Sequence, residues 1–165
     1  MSNESNQTDG SPGSNDVHVD VAIVGGGPSG STVSTLLRKY NPDLSVMIIE
    51  KAKFPREHVG ESQLPGISGI LDEMGVWDKV EAANFPIKLG GSYTWGKDAD
   101  AWDFDFYPAE EFIDEERPAK YQGQRQHTAF QVERDRYDDI LLRHAESVGV
   151  DVHEETMVRE VLMEG

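Results

Sequence analysis

Apolar positions first gather in a β-branched cluster, Val17, Val19, Val21, Ile23 and Val24, interrupted only by His18 and Asp20. Such a run predicts a strand. Gly25–Gly30 breaks it. From Ser31 to Tyr40 the residues Val33, Leu36 and Leu37 recur at helical spacing and predict a helix with those three on its buried face. Asn41-Pro42-Asp43 stops the helix, and Leu44–Ile49 forms a second apolar strand. Strand, helix and strand within about 35 residues make a βαβ unit, which favours a parallel sheet with a right-handed crossover.

Further along, Lys51–Pro65 reads as a polar loop punctuated by Pro55, Gly60 and Pro65. Gly66–Val76 predicts a short helix carrying Ile67, Ile70, Leu71 and Met74. Ile87 to Tyr107 predicts two strands around Gly96-Lys97-Asp98. In the second, Trp102, Phe104 and Phe106 alternate with Asp103 and Asp105, the period of a half-buried strand. Glu110–Glu116 is an acidic loop. Phe130–Val132 is a short strand leading into a helix over Asp135–Ser147, with Tyr137, Ile140, Leu141 and Ala145 as its buried face. Val150–Val152 and Met157–Met163 predict closing strands, and Glu164-Gly165 the start of a turn. A strand that stops at its turn leaves an open edge, so the expectation is a longer protein. Met1–Asp16 has no apolar residue after the initiator and is expected to be a disordered tail. Its two Asn-x-Ser/Thr tripeptides, at Asn3 and Asn6, are read as chance.

Composition narrows the function. The 165 residues, 37% hydrophobic with three Trp, five Tyr and six Phe, suit one packed domain. The absence of cysteine excludes disulfides, thiolate metal sites and Cys nucleophiles. A net charge of −16 argues against a nucleic-acid partner. No apolar run approaches the length of a membrane helix and no secretory signal opens the chain, so a cytoplasmic protein is expected. Half of the charge lies in 98–117, where nine acids face Arg117 alone. The Asp98–Asp105 acids do not make a calcium loop, because the sixth position is Asp103 rather than glycine and the twelfth is Ala109. His153-Glu154 lacks the second histidine of a zinc helix, since Met157 stands there. No metal site is expected. Trp95 and Trp102 are expected to pack in the core or on a sheet.

Gly25-Gly26-Gly27-Pro28-Ser29-Gly30 is a GxGxxG motif that follows a strand and opens a helix. Glu50 ends the next strand, 20 residues after Gly30, which is the context a dinucleotide fingerprint requires. Gly25 permits the tight turn, Gly27 lets a pyrophosphate approach the backbone, and Gly30 lets the helix pack on the strand. The helix N-terminus offers free N–H groups and positive potential to the phosphates. Glu50 is placed to accept hydrogen bonds from ribose hydroxyls.

The loop beyond Glu50 carries a resemblance. Glu50-Lys51, Phe54-Pro55-Arg56, His58-Val59-Gly60-Glu61-Ser62 and Leu64-Pro65 resemble the opening of the flavin-dependent halogenases. Phe130-Gln131-Val132-Glu133-Arg134-Asp135-Arg136-Tyr137-Asp138, then Leu141-Leu142 and Gly149-Val150, is similar to the second signature of the same wider group of FAD proteins. The resemblance covers Val17–Gly165. It implies an α/β fold: a Rossmann-like FAD-binding domain of the glutathione-reductase type, incomplete at its C-terminus. A substrate-facing β insertion would occupy 84–130. It implies FAD on Gly25, Gly27, Pro28, Ser29 and Gly30, with Glu50 and Lys51 at the adenosine ribose, Arg56 at the phosphates and Val158 at adenine. Arg134 would reach FAD from the later helix, and Val59–Ser62, with Gly60 and Glu61, would strap the flavin. Lys88, ahead of Trp95-Gly96, resembles the lysine that delivers electrophilic halogen. The implied reaction joins reduced flavin, oxygen and halide to halogenate an electron-rich aromatic, with electrons from a separate flavin reductase. Two sister activities, FAD-dependent monooxygenation and geranylgeranyl reduction, stay open, as does a truncated flavin-binding remnant without catalysis. The Trp-x-Trp-x-x-Ile-Pro motif of halogenases does not occur in these residues and belongs to a later region of the family.

Overall fold

The computed structural model describes residues 16–97 and 100–163. The tail before Asp16, Asp98 of the expected turn, and the Glu164-Gly165 turn lie outside them.

Three parallel strands form the main sheet. β1 (Val21–Val24) pairs with β2 (Val46–Ile49), Val21 opposite Val46 and Val24 opposite Ile49. β7 (Asp151–His153) joins the other edge of β2, so the order is β1-β2-β7. The central strand buries Val46, Met47 and Ile48, as a strand covered on both faces does. Pairing begins at Val21 rather than Val17 because Asp20 and Ser45 clamp the strand starts. The Asp20 carboxylate accepts from both the Ser45 N–H and its hydroxyl, at 2.7 and 2.6 Å. Val17, ahead of that clamp, is exposed.

Between β1 and β2 runs α1 (Pro28–Tyr40), which starts three residues earlier than the periodicity alone predicts and takes the end of the glycine motif into its first turn. Its buried face also differs from expectation. Ser31, Ser34 and Thr35 are sealed, whereas Val33 is half exposed. Small side chains let α1 lie close against β2 and against α4 (Arg134–Ser147), and Val33 faces outward. α4 joins two cores. Its Tyr137 and Leu141 pack with α2 (Gly66–Met74) and with Trp77 and Val80 of α3 (Trp77–Ala82). Its Leu142 and Ala145 pack under the sheet on Val46, Ile48 and Val150.

The single helix expected over Gly66–Val76 is two helices. Gly75, at φ +78°, takes the left-handed conformation that ends α2, and α3 starts two residues later. Glu81 of α3 is fully buried and holds the acidic loop. Its carboxylate meets Arg125, also fully buried, at 2.9 Å and Arg117 at 3.8 Å.

Two antiparallel pairs complete the fold. β3 (Ile87–Lys88) pairs with β6 (Ala129–Phe130), setting Lys88 opposite Ala129. β4 (Gly90–Thr94) and β5 (Ala101–Asp105) make a two-stranded ribbon. The expected half-buried strand is therefore largely open: Trp102 is 56% exposed and stacks on Tyr93, while Trp95 is 87% exposed. The strand expected over Met157–Met163 is absent. The Thr156 N–H to Glu50 carbonyl bond is the last that ties this stretch to the sheet, and Val161, Leu162 and Met163 lie exposed. Alternating apolar residues do not make a strand without a neighbour to take their backbone bonds. No helix among the described residues is long and apolar enough to cross a membrane.

Candidate functional site

The carboxyl ends of the three parallel strands converge on one edge, where ligands of open α/β sheets bind. Gly25 follows β1, Glu50 follows β2, and 156–158 follow β7. At the turn Gly25 has φ +106°, and a Cβ on Gly30 would stand 2.0 Å from the Gly25 carbonyl oxygen. The turn can close only with glycine at both positions. Gly27 caps α1 without a side-chain hydrogen bond, and Pro28 occupies the first turn. The leading N–H groups of α1 thus lack side-chain caps. Arg56, stacked on the Phe54 ring at 4.7 Å, brings its Nη2 to 3.6 Å from where a Gly27 Cβ would lie. An exposed helix N-terminus with a guanidinium over its mouth is the donor set a pyrophosphate requires.

Glu50 is nearly sealed. Its Oε2 accepts the Gly26 N–H at 2.7 Å and its Oε1 the Ala52 N–H at 2.8 Å, and each oxygen keeps a second lone pair. Together with Val24, Gly25, Ile49, Lys51, Met157 and Val158, it lines a cavity of about 240 Å³. One carboxylate set among apolar walls suits a nucleoside, with hydroxyls on the acid and a flat base on the apolar side. Val158 thus enters the site from an irregular segment. Gly26, the unspecified position of the motif, proves equally constrained: a Cβ there would press on Leu142 at 3.1 Å and on Glu50. Ser29 is exposed beside the turn, in the first turn of α1.

A second cavity, about 340 Å³, lies between Pro28, Gly60, Gln63, α2 and α4. Gln63 and Tyr137 line it, and the Tyr137 hydroxyl is buried against Gln63. Burial pushes the Tyr137 hydroxyl up to about 12, against a smaller opposing pull from Gln63. At its rim Arg134 grips Asp138 with two hydrogen bonds, 2.7 and 2.9 Å, which hold the guanidinium charged, and its Nη1 donates to the Val59 carbonyl at 2.5 Å. Arg134 therefore fastens the 59–61 segment; a Cβ on Gly60, at φ +105°, would fall 2.9 Å from Nη1. The Gly60 N–H donates to the Glu61 carboxylate, and the Glu61 carbonyl accepts from Val132. His58 is exposed and, with Val59, Glu61 and Arg134, lines an open cavity of about 480 Å³.

Lys88 of β3 is bonded to the same segment. Its Nζ donates to the Gln63 carbonyl at 3.0 Å and lies 5.1 Å from the Phe106 ring. The structure therefore ties Lys88 to the 61–63 segment rather than to the glycine turn. Sequence reasoning missed Gln63, whose backbone carbonyl acts and leaves no side-chain signal. Phe106 was visible as a member of the alternating aromatic run but had no assigned role.

The family model described as tryptophan halogenase matches residues 20–118, more than half of the chain. A 1H-pyrrole-2-carbonyl-(peptidyl-carrier protein) chlorinase of Pseudomonas fluorescens is 38% identical over 149 residues, 86% of this chain and 32% of the relative. Among solved structures, the myxobacterial chondrochloren halogenase, described as FAD-dependent, superposes with a TM-score of 0.73 at 39% identity. That match covers 89% of this chain and 31% of the halogenase. A flavoprotein/dehydrogenase from Cytophaga hutchinsonii follows at 0.70 and 35%, with coverage of 89% and 33%. The chain spans about a third of the length of each of these proteins. The parallel sheet, the glycine turn and these likenesses describe a Rossmann-like FAD-binding fold, and the chain belongs to the tryptophan halogenase family.

Proposed function

We propose that the chain forms the FAD-binding part of a flavin-dependent halogenase that acts on an electron-rich aromatic substrate with halide. The observation that carries this reading is the convergence of the glycine turn, Glu50, Arg56 and the Arg134-fastened strap on one sheet edge, with Lys88 tied to that strap. Gly25–Gly30 and Arg56 hold the pyrophosphate. Glu50, Lys51 and Val158 hold the adenosine. The cavity lined by Pro28, Gly60, Gln63 and Tyr137 takes the linking chain. When bound, FAD supplies the electrons and the oxygen chemistry that turn halide into hypohalous acid; a separate flavin reductase would renew those electrons.

The chain's own contribution is to hold and aim. The strap lines the cofactor cavity through Gly60 and Gln63 and holds Lys88 through the Gln63 carbonyl, and its backbone is stitched to 130–132 by the Gln63 N–H to Phe130 carbonyl bond and the Val132 N–H to Glu61 carbonyl bond. The Lys88 ammonium has three donors, of which Gln63 takes one. A second can bind the oxygen of hypohalous acid, drawing electron density from the O–X bond and presenting X to the substrate ring. The ring gains the halogen and releases a proton, and water leaves. Residues 84–130 then form the substrate-facing region.

The test is halogenation by a form of the protein that has the full length of the family. Loss of aryl halide with Lys88→Ala, while FAD stays bound, is the expected result; unchanged halogenation would remove Lys88 from the chemistry. The likeness to the Cytophaga flavoprotein favours a second reading, a flavin oxidoreductase without halide chemistry. Substrate oxidation independent of added halide would select it.

A further inference from the structure

Lys88 is held from two sides by groups of different origin. The Gln63 carbonyl, 3.0 Å from Nζ, belongs to the strap, whose position is fixed by backbone bonds to Phe130 and by the bridge between Ser62 and Gln131. Opposite stands the Phe106 ring, 5.1 Å from Nζ. Backbone geometry brings that ring there. The Phe106 N–H donates to the carbonyl of Leu89, the residue after Lys88, at 2.6 Å, which keeps Phe106 next to Lys88 along the chain pair.

The ring is also braced from behind. Phe106 meets Phe104 edge-on at 5.3 Å, Phe104 stacks on Tyr93 at 5.4 Å, and Tyr93 stacks on Trp102 at 5.1 Å. Four rings thus run along one face of the β4–β5 ribbon and end at the lysine. Gly90 and Gly91 permit this closeness: a Cβ on Gly90 would reach 2.4 Å from the Phe104 carbonyl, and one on Gly91 would press on the Phe104 ring at 3.1 Å. A ring face attracts an ammonium, and a carbonyl accepts from it. Both contacts act on the same nitrogen.

We propose that Phe106 is a positioning residue for Lys88, its ring and the Gln63 carbonyl forming a clamp that fixes the direction of the remaining N–H donors. The role in halogenation rests on the function proposed above; the clamp itself does not. In solution, a lysine pinned in this way reacts slowly with amine reagents. The test is reductive methylation of the chain with formaldehyde and borane, read residue by residue by mass spectrometry, with exposed Lys120 as internal reference.

Phe106→Leu, which removes the π face, is expected to raise the Lys88 rate relative to Lys120 about three- to fivefold, the scale of one cation–π contact. Phe106→Tyr, which keeps the ring, restores the slow rate. An unchanged ratio in Phe106→Leu, or an equal rise in Phe106→Tyr, would overturn the proposal. Without any substitution, the ε-methylene protons of Lys88 should resonate upfield of those of exposed lysines, and unshifted protons would overturn it as well. In the full-length enzyme Phe106→Leu should lower kcat with little change in substrate KM, with recovery in Phe106→Tyr. If Lys88→Ala keeps halogenation while the labelling results hold, the clamp stands and the catalytic role falls.

Discussion

At Gly30 a single methyl group would land 2.0 Å from the Gly25 carbonyl, and backbone cannot yield as a flexible side chain can. Gly30→Ala is therefore expected to force the β1–α1 turn open, destabilise the chain by about 1–3 kcal/mol or more, and abolish FAD binding. Urea unfolding and flavin titration measure the two effects. Glu50 makes a different demand. Its two oxygens each accept a backbone N–H, and Glu50→Gln keeps only one acceptor, so the Gly26 or Ala52 N–H loses its partner at a cost of about 1–3 kcal/mol. Their positions were legible because the motif dictates type and spacing: glycine where no Cβ fits the turn, and an acid at the end of the next strand, where it accepts backbone N–H groups. Gln63 was not legible, because any residue supplies a carbonyl and only the paired strands show where it points.

At the scale of elements, α4 carries the link between cofactor and strap. Arg134 opens it, and Asp138, one turn on, has a fully buried carboxylate. Arg134→Ala leaves that charge unpaired and frees the Val59 carbonyl. A loss of about 3–5 kcal/mol is expected, most of it recovered when Asp138→Leu accompanies Arg134→Met. Denaturant midpoints of the two variants, beside the unaltered chain, check this. Further along α4, burial holds the His144 imidazole below its ordinary value, with Lys79 against Nδ1 and the Met74 carbonyl against Nε2. The unfolded chain then takes up the proton first. Stability from this group is complete above the ordinary histidine value of about 6.5 and is lost as pH falls below it. The thermal midpoint should decline on acidification through that window, with a shallower slope in His144→Gln. The βαβ unit and the later helix could be read from periodicity. The break at Gly75 could not, because the apolar spacing continues across it into Val76 and Trp77. Nor could the buried face of α1, where close approach favours serine and threonine over Val33.

At the scale of the molecule, the net charge of −16 and the site occupy different ground. The acids of 100–116 lie on the ribbon and its following loop, and Asp114 approaches Arg125 at 3.8 Å. The basic residues of the candidate site, Arg56, Arg134 and Lys88, lie outside that stretch. Domain class and cofactor edge were legible because the fingerprint lies within about 35 residues of sequence. The bond from Lys88 to the 61–63 segment depends on pairings between 61–63 and 130–132, about 70 residues apart, which no local pattern reveals. The most direct test is a titration of the purified, folded chain with FAD, followed by flavin absorbance and fluorescence, beside FMN and the Gly30→Ala variant. Saturable binding of one FAD per chain, weaker for FMN, which lacks the adenosine half, and lost in Gly30→Ala, is the predicted result. A folded chain that binds no FAD, or binds it equally well in Gly30→Ala, would contradict it.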